Sequence, residues 1–573
     1  MLILLCNPRI TAGLKAIKSQ RTKIKLSDKE KIILPPKYYL HYFKEVLDFI
    51  EKHSSHLLDI DDHQFYEIFH SLSEDAQCTI IRMANRKGEY FRLDKFEYAE
   101  IINQGEAFDE LMEAGFITMD ISNDPIVFSQ FTKAELDKAF PNRDFKHQYK
   151  EEVVLNLVET SSSEEYDILL SRYRIAKILI QDHIEFLKLL YFGNTDSLMT
   201  EFVIRDVGHI QLENLENHEF SSWFTSRSEA LAVFELSKWN TAIKLAFDNY
   251  LPEEILQFLA PVNWSSLLHY PAAQKIGNKL MMRIGEYYEK SGFLESAISF
   301  FELTKKHPAR ERRIRIMDKL GRKDDALDLA AFVTEQPYNA KELTFACDYI
   351  AKKGDRILKS TTTKIKSSPS ISIVPNHSQK VEAQALAYFS KKGFDGIHSE
   401  NFIWRNLFGL TFWHELFDNI NGSFHHPLQR MPSDLYSEAF YLERKVQLEQ
   451  RINAFRTRKQ YLKHIEKIID EKSGINNPFI YWHEQMMDYI NLIVERLPFS
   501  GLKNIMLEIA KNVKDNSTGF PDLFIWNESE YHFYEIKSPN DHLSAQQLFW
   551  INFLEKQKVN AQILRLIYLD SEE

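Results

Sequence analysis

Three residues in the sequence have the types and spacing to hold a metal ion beside a cationic side chain. They are Asp522, Glu535 and Lys537, with 12 residues between the first two and one between the last two. Leu523–Trp526 is short and apolar, Asn527–Glu530 is a polar four-residue turn, and Tyr531–Lys537 is rich in aromatics, a pattern that predicts a β-hairpin. Side chains alternate along a strand, so Phe533, Glu535 and Lys537 share one face and Ile536 points to the other. Asp522 stands at the entrance of the first strand, where the hairpin can bring it beside Glu535. Two hard carboxylates so placed suit Mg²⁺ or Mn²⁺, which take oxygen ligands, and the Ile536 carbonyl can complete the set. A cation held there polarises a phosphodiester and acidifies a water. The Lys537 ammonium can hold that water or neutralise charge growing on phosphorus.

An exposed hairpin with a surface Glu–Lys pair explains the same three residues. The residues after Lys537 favour the chemistry. Ser538–Ser544 is a turn, Ser544 is placed to cap the amphipathic helix Ala545–Leu554, and the apolar run Ala561–Tyr568 reads as a returning strand. The order hairpin, helix, strand around an Asp…Glu-x-Lys pattern is that of the PD-(D/E)xK superfamily of metal-dependent nucleases. Gln547, in the first turns of the helix, is placed to orient the lysine or a water.

The string Gly519–Trp526 with Tyr534–Trp550 resembles the virus-type replication-repair (VRR-NUC) domain of the Fanconi-associated nucleases. Leu34–Leu40 resembles the family's proline-tyrosine entry. Gly393–Glu400 followed by Leu407–Trp413 resembles a family helix that adds one more carboxylate to the metal. By that resemblance Glu400 joins Asp522, Glu535, the Ile536 carbonyl and Lys537, whereas its local sequence alone leaves it a solvated glutamate. The resemblance covers most of 34–570. It implies a structure-specific DNA nuclease that cuts 5′ flaps, trims DNA from the 5′ side as a phosphodiesterase I, and serves interstrand crosslink repair on branched or flapped DNA. It also implies a genome-associated location, cytoplasmic in a bacterium or nuclear in a eukaryote. Three isolated cysteines, Cys6, Cys78 and Cys347, cannot supply the zinc finger of the eukaryotic members, so the chain is similar to the compact bacterial type. His542 stands where the family usually has arginine, and Ser538 where glycine is common.

Several basic stretches are candidates to touch DNA. Leu442–Lys467, with a net charge of +5, reads as one basic helix between the two halves of the site. Its Arg444, Lys445, Arg451, Arg456, Arg458 and Lys459 are candidate phosphate contacts. Arg86 and Lys87 on an N-terminal basic edge, Arg312 and Arg313 in the cluster Arg310–Arg315, and Asp541 and His542 beside the catalytic strand complete the set.

These groups need scaffolding, and the rest of the chain is read as that. Over 573 residues, three to five domains are expected. Glycine is scarce at 18, which favours helix. The expected fold class is mostly α and multidomain, with helical DNA-binding and helical-repeat regions followed by a C-terminal α/β PD-(D/E)xK nuclease domain. Residues 1–33 read as a basic arm, net +6 over 1–31. Residues 34–148 read as a winged-helix or SAP-like helical region. In it Tyr39, Phe43, Leu47 and Ile50 share a helix face, and Thr132 with Glu135 forms a capping box. Residues 149–358 read as tetratricopeptide-like helical repeats, since Gly292 to Gly321 and Ala297 to Ala326 are both 29 apart. The Ser/Thr-rich stretch 359–380 reads as a linker or loop, and 381–573 as the nuclease domain.

The formal charge of −11, from 71 Lys and Arg against 82 Asp and Glu, argues against a polycation that coats nucleic acid. No stretch is long and apolar enough for a membrane span. The apolar start Met1–Cys6 lacks the basic flank of a signal peptide, and scattered thiols fit a reducing compartment. Two rival functions remain open at this level: a four-way-junction resolvase, and a non-catalytic helical-repeat scaffold for repair. The sequence names no protein partners.

Overall fold

In this computed structural model the described residues run from 34 to 569, apart from 87, 122–124, 196–198, 209, 216, 354–359 and 377. The basic arm at 1–33 and Lys87 lie outside them. The chain divides into two compact units, Met1–His209 with Ser222–Tyr287, and Ile210–Ser221 with Tyr288–Glu573.

Apolar residues at helical spacing build the first unit. On the helix Tyr38–Ser54, Tyr39, Phe43, Leu47 and Ile50 are all buried, as their spacing predicts. Helices Ile60–Ser71, Glu74–Ala84 and Gln104–Glu113 follow. A small antiparallel sheet completes the module: β1 (Tyr90–Arg92) and β2 (Ile117–Thr118) flank β3 (Ile175–Ile178). Thr132 and Glu135 form the expected reciprocal cap. β3 interrupts the stretch 149–358, read as helical repeat, with a short strand. Its Ile175, Ala176 and Ile178 are buried around Lys177, and a four-residue strand between helices is too short for periodicity to reveal.

From Tyr288 the second unit runs through a series of helices. Gly292 and Gly321 take positive φ of 86° and 82° at the ends of Gln274–Lys290 and Ala309–Lys319. Ala297 and Ala326 are fully buried one turn into the helices that follow. Arg310 pairs with Glu342 at 2.5 Å, Arg312 with Glu289 at 2.7 Å, Arg313 with Glu302 at 2.6 Å and Arg315 with Glu311 at 2.6 Å. Arg312 and Arg313 are therefore not the free phosphate contacts that charge density alone suggests. They tie helices together.

The catalytic layer is a five-stranded mixed sheet in the order β4-β8-β7-β6-β5. Its strands are β4 (Ser370–Ile373), β5 (Asp395–His398), β6 (Leu523–Trp526), β7 (Tyr531–Lys537) and β8 (Ala561–Tyr568). The hairpin β6–β7 forms as expected, with Asn527 Oδ1 accepting from Ser529 N and Glu530 N, both at 2.9 Å, to close the turn. β8 runs parallel to β7 after the helix Ala545–Lys556. The stretch 359–380 is not a linker: it contains the helix Ser360–Lys366 and β4, which pairs with β8. Ser370 and Ser372 on this edge strand face solvent, so composition mimics a loop; Ile371 and Ile373 pack on the sheet.

Alternation sorts the sheet's side chains. Leu523, Ile525, Tyr534 and Ile536 pack with Ala385 and Phe389 of the helix Val381–Ser390. Phe524 and Phe533 face the large helical core built around Trp404, Trp413, Tyr461 and Trp550. The basic stretch 442–467 is not one helix but parts of two, Ala439–Ala454 and Arg458–Lys472, with Thr457 capping the second through Gln460 N.

Candidate active site

The register of the hairpin sets the site. Leu523 opposes Tyr534, so Asp522 lies level with Glu535. Asp522 Oδ2 accepts from Ile536 N at 2.9 Å, while Ile536 turns its own side chain into the apolar layer. Glu535 and Lys537 share the opposite face and are 1% and 6% exposed. Lys537 Nζ lies 2.9 Å from Glu535 Oε1. Gln547 joins both: its amide donates to Glu535 Oε1 at 2.5 Å, and its Oε1 accepts from Lys537 Nζ at 3.3 Å and Ser544 N at 2.9 Å. The helix cap and the active-site pair are thus one network.

One aromatic stack holds the three carriers together. Phe520, two residues before Asp522, lies between Trp404 at 4.9 Å and Trp550 at 3.9 Å. Trp404 belongs to the helix Phe402–Thr411 that follows Glu400, and Trp550 to the helix that carries Gln547. Trp550 Nε1 also donates to Thr518 O at 3.0 Å. Gly519 runs at φ +87°, and a Cβ there would sit 2.8 Å from Gln546 Cγ and 3.2 Å from the Gln546 backbone. Only glycine lets the strand entrance approach that helix so closely.

Glu400 is not on a helix, as the resemblance implies, but in the turn between β5 and the helix Phe402–Thr411, at the unusual φ of +29°. Ser399 N and Glu400 N both donate to Asp522 O, at 2.8 and 3.1 Å. The Asn401 amide donates to Glu400 Oε1 at 3.0 Å, and Asn401 Oδ1 accepts from Phe520 N. Backbone strain at Glu400 is thus held by the strand that carries Asp522.

Burial makes these carboxyls resist ionisation. Glu535 is pushed up to about 8, first by burial and then by the neighbouring Asp522, which outweigh the nearby ammonium of Lys537. Asp522 is pushed up to about 6 by burial, against the opposing Ile536 N–H and Lys537. Glu535 Oε2 is buried without a hydrogen-bond partner. A buried, orphaned carboxylate oxygen beside a second carboxylate is the environment a divalent cation stabilises.

Two residues that sequence reasoning missed join Asp522. One ligand atom each from Glu382, His398 and Asp522 lie within 4.8 Å of one another. Glu382 opens the helix Val381–Ser390 and His398 ends β5. The pair falls on separate elements, and no motif links them by spacing. His398 lies two residues before Glu400, inside the segment read as site-forming, and that was the available signal.

The basic candidates fare unevenly. Arg444 is fully buried, bonding Glu415 O at 3.1 Å, Asp434 Oδ2 at 2.5 Å and Ser423 Oγ at 2.8 Å. It is a structural cation, not the DNA contact expected of it. Arg451 pairs with Glu415 at 2.7 Å, and Arg458 donates to the Val494 and Leu497 carbonyls at 2.9 and 2.8 Å. Lys445, Arg456 and Lys459 are exposed. Arg86 is exposed, its guanidinium 5.1 Å from the Tyr98 ring. Asp541 caps the turn by accepting from Ser538 N at 2.8 Å, and His542 is exposed beside it.

The family profile described as "FAN1, HTH domain" matches residues 37–118, and that described as "VRR-NUC domain" matches 456–566. A Fanconi-associated nuclease 1 homolog of Pseudomonas aeruginosa is 25% identical over 543 residues, covering 91% of this chain and 94% of the relative. A homolog of Schizosaccharomyces pombe is 34% identical over 196 residues, but over only 33% of this chain and 27% of its own. Human Fanconi-associated nuclease 1 is 23% identical over 92% of this chain and 62% of its own. A solved structure, "Crystal structure of paFAN1 bound to 2nt 5'flap DNA with gap", shares the fold with a TM-score of 0.80 at 24% identity, over 94% of this chain and all of that one.

Fold, site and profiles define a DNA nuclease of the PD-(D/E)xK class that depends on a divalent metal. The chain is similar to the Fanconi-associated nucleases over most of its length. Among the described residues no helix is long and apolar enough to cross a membrane.

Proposed function

We propose that the chain hydrolyses phosphodiester bonds at 5′ flaps and trims the cut strand from its 5′ side, in the repair of DNA interstrand crosslinks. One observation carries the reading: Asp522 and the orphaned, buried Glu535 Oε2 stand side by side, with Lys537 2.9 Å from the other Glu535 oxygen. Asp522, Glu535 and the Ile536 carbonyl would hold Mg²⁺ or Mn²⁺, with Glu400 closing the site. His398 and Glu382 crowd Asp522, and an imidazole there is a donor that Mn²⁺ accepts more readily than Mg²⁺. A bound cation supplies Lewis acidity toward the scissile phosphate and a nucleophile at neutral pH.

The chain's own groups do the rest. Lys537 places its ammonium where negative charge develops on phosphorus and orients the attacking water. Gln547 fixes the Lys537–Glu535 pair through its two amide atoms. Lys445, Arg456 and Lys459, with Arg86 and His542, steer the phosphate backbone. The location that fits is the compartment holding the genome. A complete set of acidic, lysine and glutamine groups argues against a non-catalytic scaffold.

The test is cleavage of an end-labelled 5′-flap duplex in Mg²⁺ and in Mn²⁺, beside nicked and four-way-junction substrates. The wild type is expected to cut the flap preferentially, and Asp522→Ala and Lys537→Ala to lose that cutting. Unchanged cutting by either variant contradicts the site. Preferred cutting of the junction contradicts the substrate.

A further inference from the structure

We propose that Tyr481 is a stacking platform for an unpaired base of the DNA strand that reaches the metal site. This rests on the nuclease reading above and names a contact that the reading does not contain. The chain after the helix Arg458–Lys472 returns across the helix Phe402–Thr411, whose first residue is two positions from Glu400. It is pinned there. Asn406 Oδ1 accepts from Tyr481 N at 2.9 Å, and Arg405 Nη2 donates to Pro478 O at 2.8 Å. Gly409 makes room, since a Cβ there would lie 2.8 Å from Ile480 Cγ1 and 3.0 Å from Phe479 Cβ.

On this fixed loop, neighbouring aromatics part company. Trp482 turns in, donating from Nε1 to Ile475 O at 2.8 Å. Tyr481 turns out and is 69% exposed. Behind it the rings run back toward the site: His483 lies 6.0 Å from Tyr481, and Phe402 lies 6.1 Å from His483. An exposed aromatic face on a rigid support is the element that proteins use to hold unpaired bases, whatever their sequence. The exposed charges beside it are Glu484 on the loop and Asp488 in the first turn of the helix Met486–Arg496, and they disfavour phosphate contact at this spot. The geometry therefore suits a base's face rather than its backbone. A base stacked here keeps the strand unpaired over the loop bonded to the helix that follows Glu400.

The test uses the full chain with Asp522→Asn to keep the substrate intact, and 5′-flap duplexes carrying 2-aminopurine at successive unpaired positions. One position is expected to show quenched fluorescence on binding. Adding Tyr481→Ala is expected to abolish that quenching and weaken binding by about 5- to 100-fold. Tyr481→Phe is expected to restore both, because stacking needs the ring and not the hydroxyl. Quenching and affinity unchanged by Tyr481→Ala, or a Phe variant as weak as the Ala variant, overturn the platform. A folded control is built in: the melting temperature and Mn²⁺ affinity of otherwise wild-type Tyr481→Ala are expected to match those of the wild type. A loss of either shows a structural role and also overturns the proposal. Failure of the wild type to cut flap DNA is read separately and overturns the nuclease reading instead.

Discussion

Asp522 and Glu535 are kept close and out of water, and the Ile536 N–H and the Lys537 ammonium offset that cost only in part. Metal-free, both carboxyls have folded pKa values, about 6 and about 8, above their unfolded values near 4. The folded state thus keeps protons that the unfolded chain has released. Stability from this source is full below about pH 4 and is lost as pH rises through those folded values. The melting temperature of the metal-free protein, relative to Glu535→Gln, is expected to fall between about pH 5 and about pH 8. Saturating Mn²⁺ is expected to remove most of that difference, as calorimetry can check. Lys537→Ala is expected to lower kcat by about 100- to 1000-fold. Gln547→Ala, which unties the pair without removing it, is expected to cost about 10- to 100-fold; single-turnover cleavage separates them. Asp522, Glu535 and Lys537 are legible in the sequence because strand alternation is local. Glu382 and His398 are not, because a helix start and a strand end meet only after the sheet is assembled. Charge density overstates the arginines for the opposite reason: a count of charges does not show that Arg444, Arg312 and Arg313 already have carboxylate partners.

Precision at the site is set by elements some distance from the chemistry. Phe520 wedges between Trp404 and Trp550, so the strand entrance, the turn of Glu400 and the helix of Gln547 move as one block. Phe520→Ala is expected to cost about 3–5 kcal/mol of stability by opening a cavity in that stack. It is also expected to reduce kcat more than DNA affinity, since displacement of reacting groups weakens the transition state first. Arg444→Ala is expected to cost about 3–5 kcal/mol by leaving Asp434 and Glu415 O facing an uncompensated space, with no change in the salt dependence of DNA binding. Denaturant titration and binding curves test the two halves of that statement. The hairpin, the capped helix and the returning strand are legible because each is encoded within about ten residues. The edge strand Ser370–Ile373 is hidden by its polar composition, and Ile175–Ile178 by its brevity. Both declare themselves only through partners far along the chain.

Across the whole molecule, the net charge of −11 hides a division of labour. Most arginines in the helical body pair with glutamates, so they stabilise helix packing and leave little field for DNA. The exposed cations at Lys445, Arg456 and Lys459 are where affinity for phosphate is expected to reside. Arg456→Ala and Lys459→Ala are each expected to flatten the slope of log Kd against log salt by about 1, whereas Arg312→Met leaves it unchanged. Binding carried by a few contacts keeps an acidic protein from coating duplex DNA and leaves cutting to the metal.

The central claim is that this metal is held between the carboxylates of Asp522 and Glu535 on the two strands of one hairpin. Anomalous diffraction from crystals soaked in Mn²⁺ tests it directly. The expected result is a peak within about 2.0–2.6 Å of carboxylate oxygens of Asp522 and Glu535, lost in crystals of Asp522→Asn. A peak away from both carboxylates, or an unchanged peak in the variant, contradicts the claim.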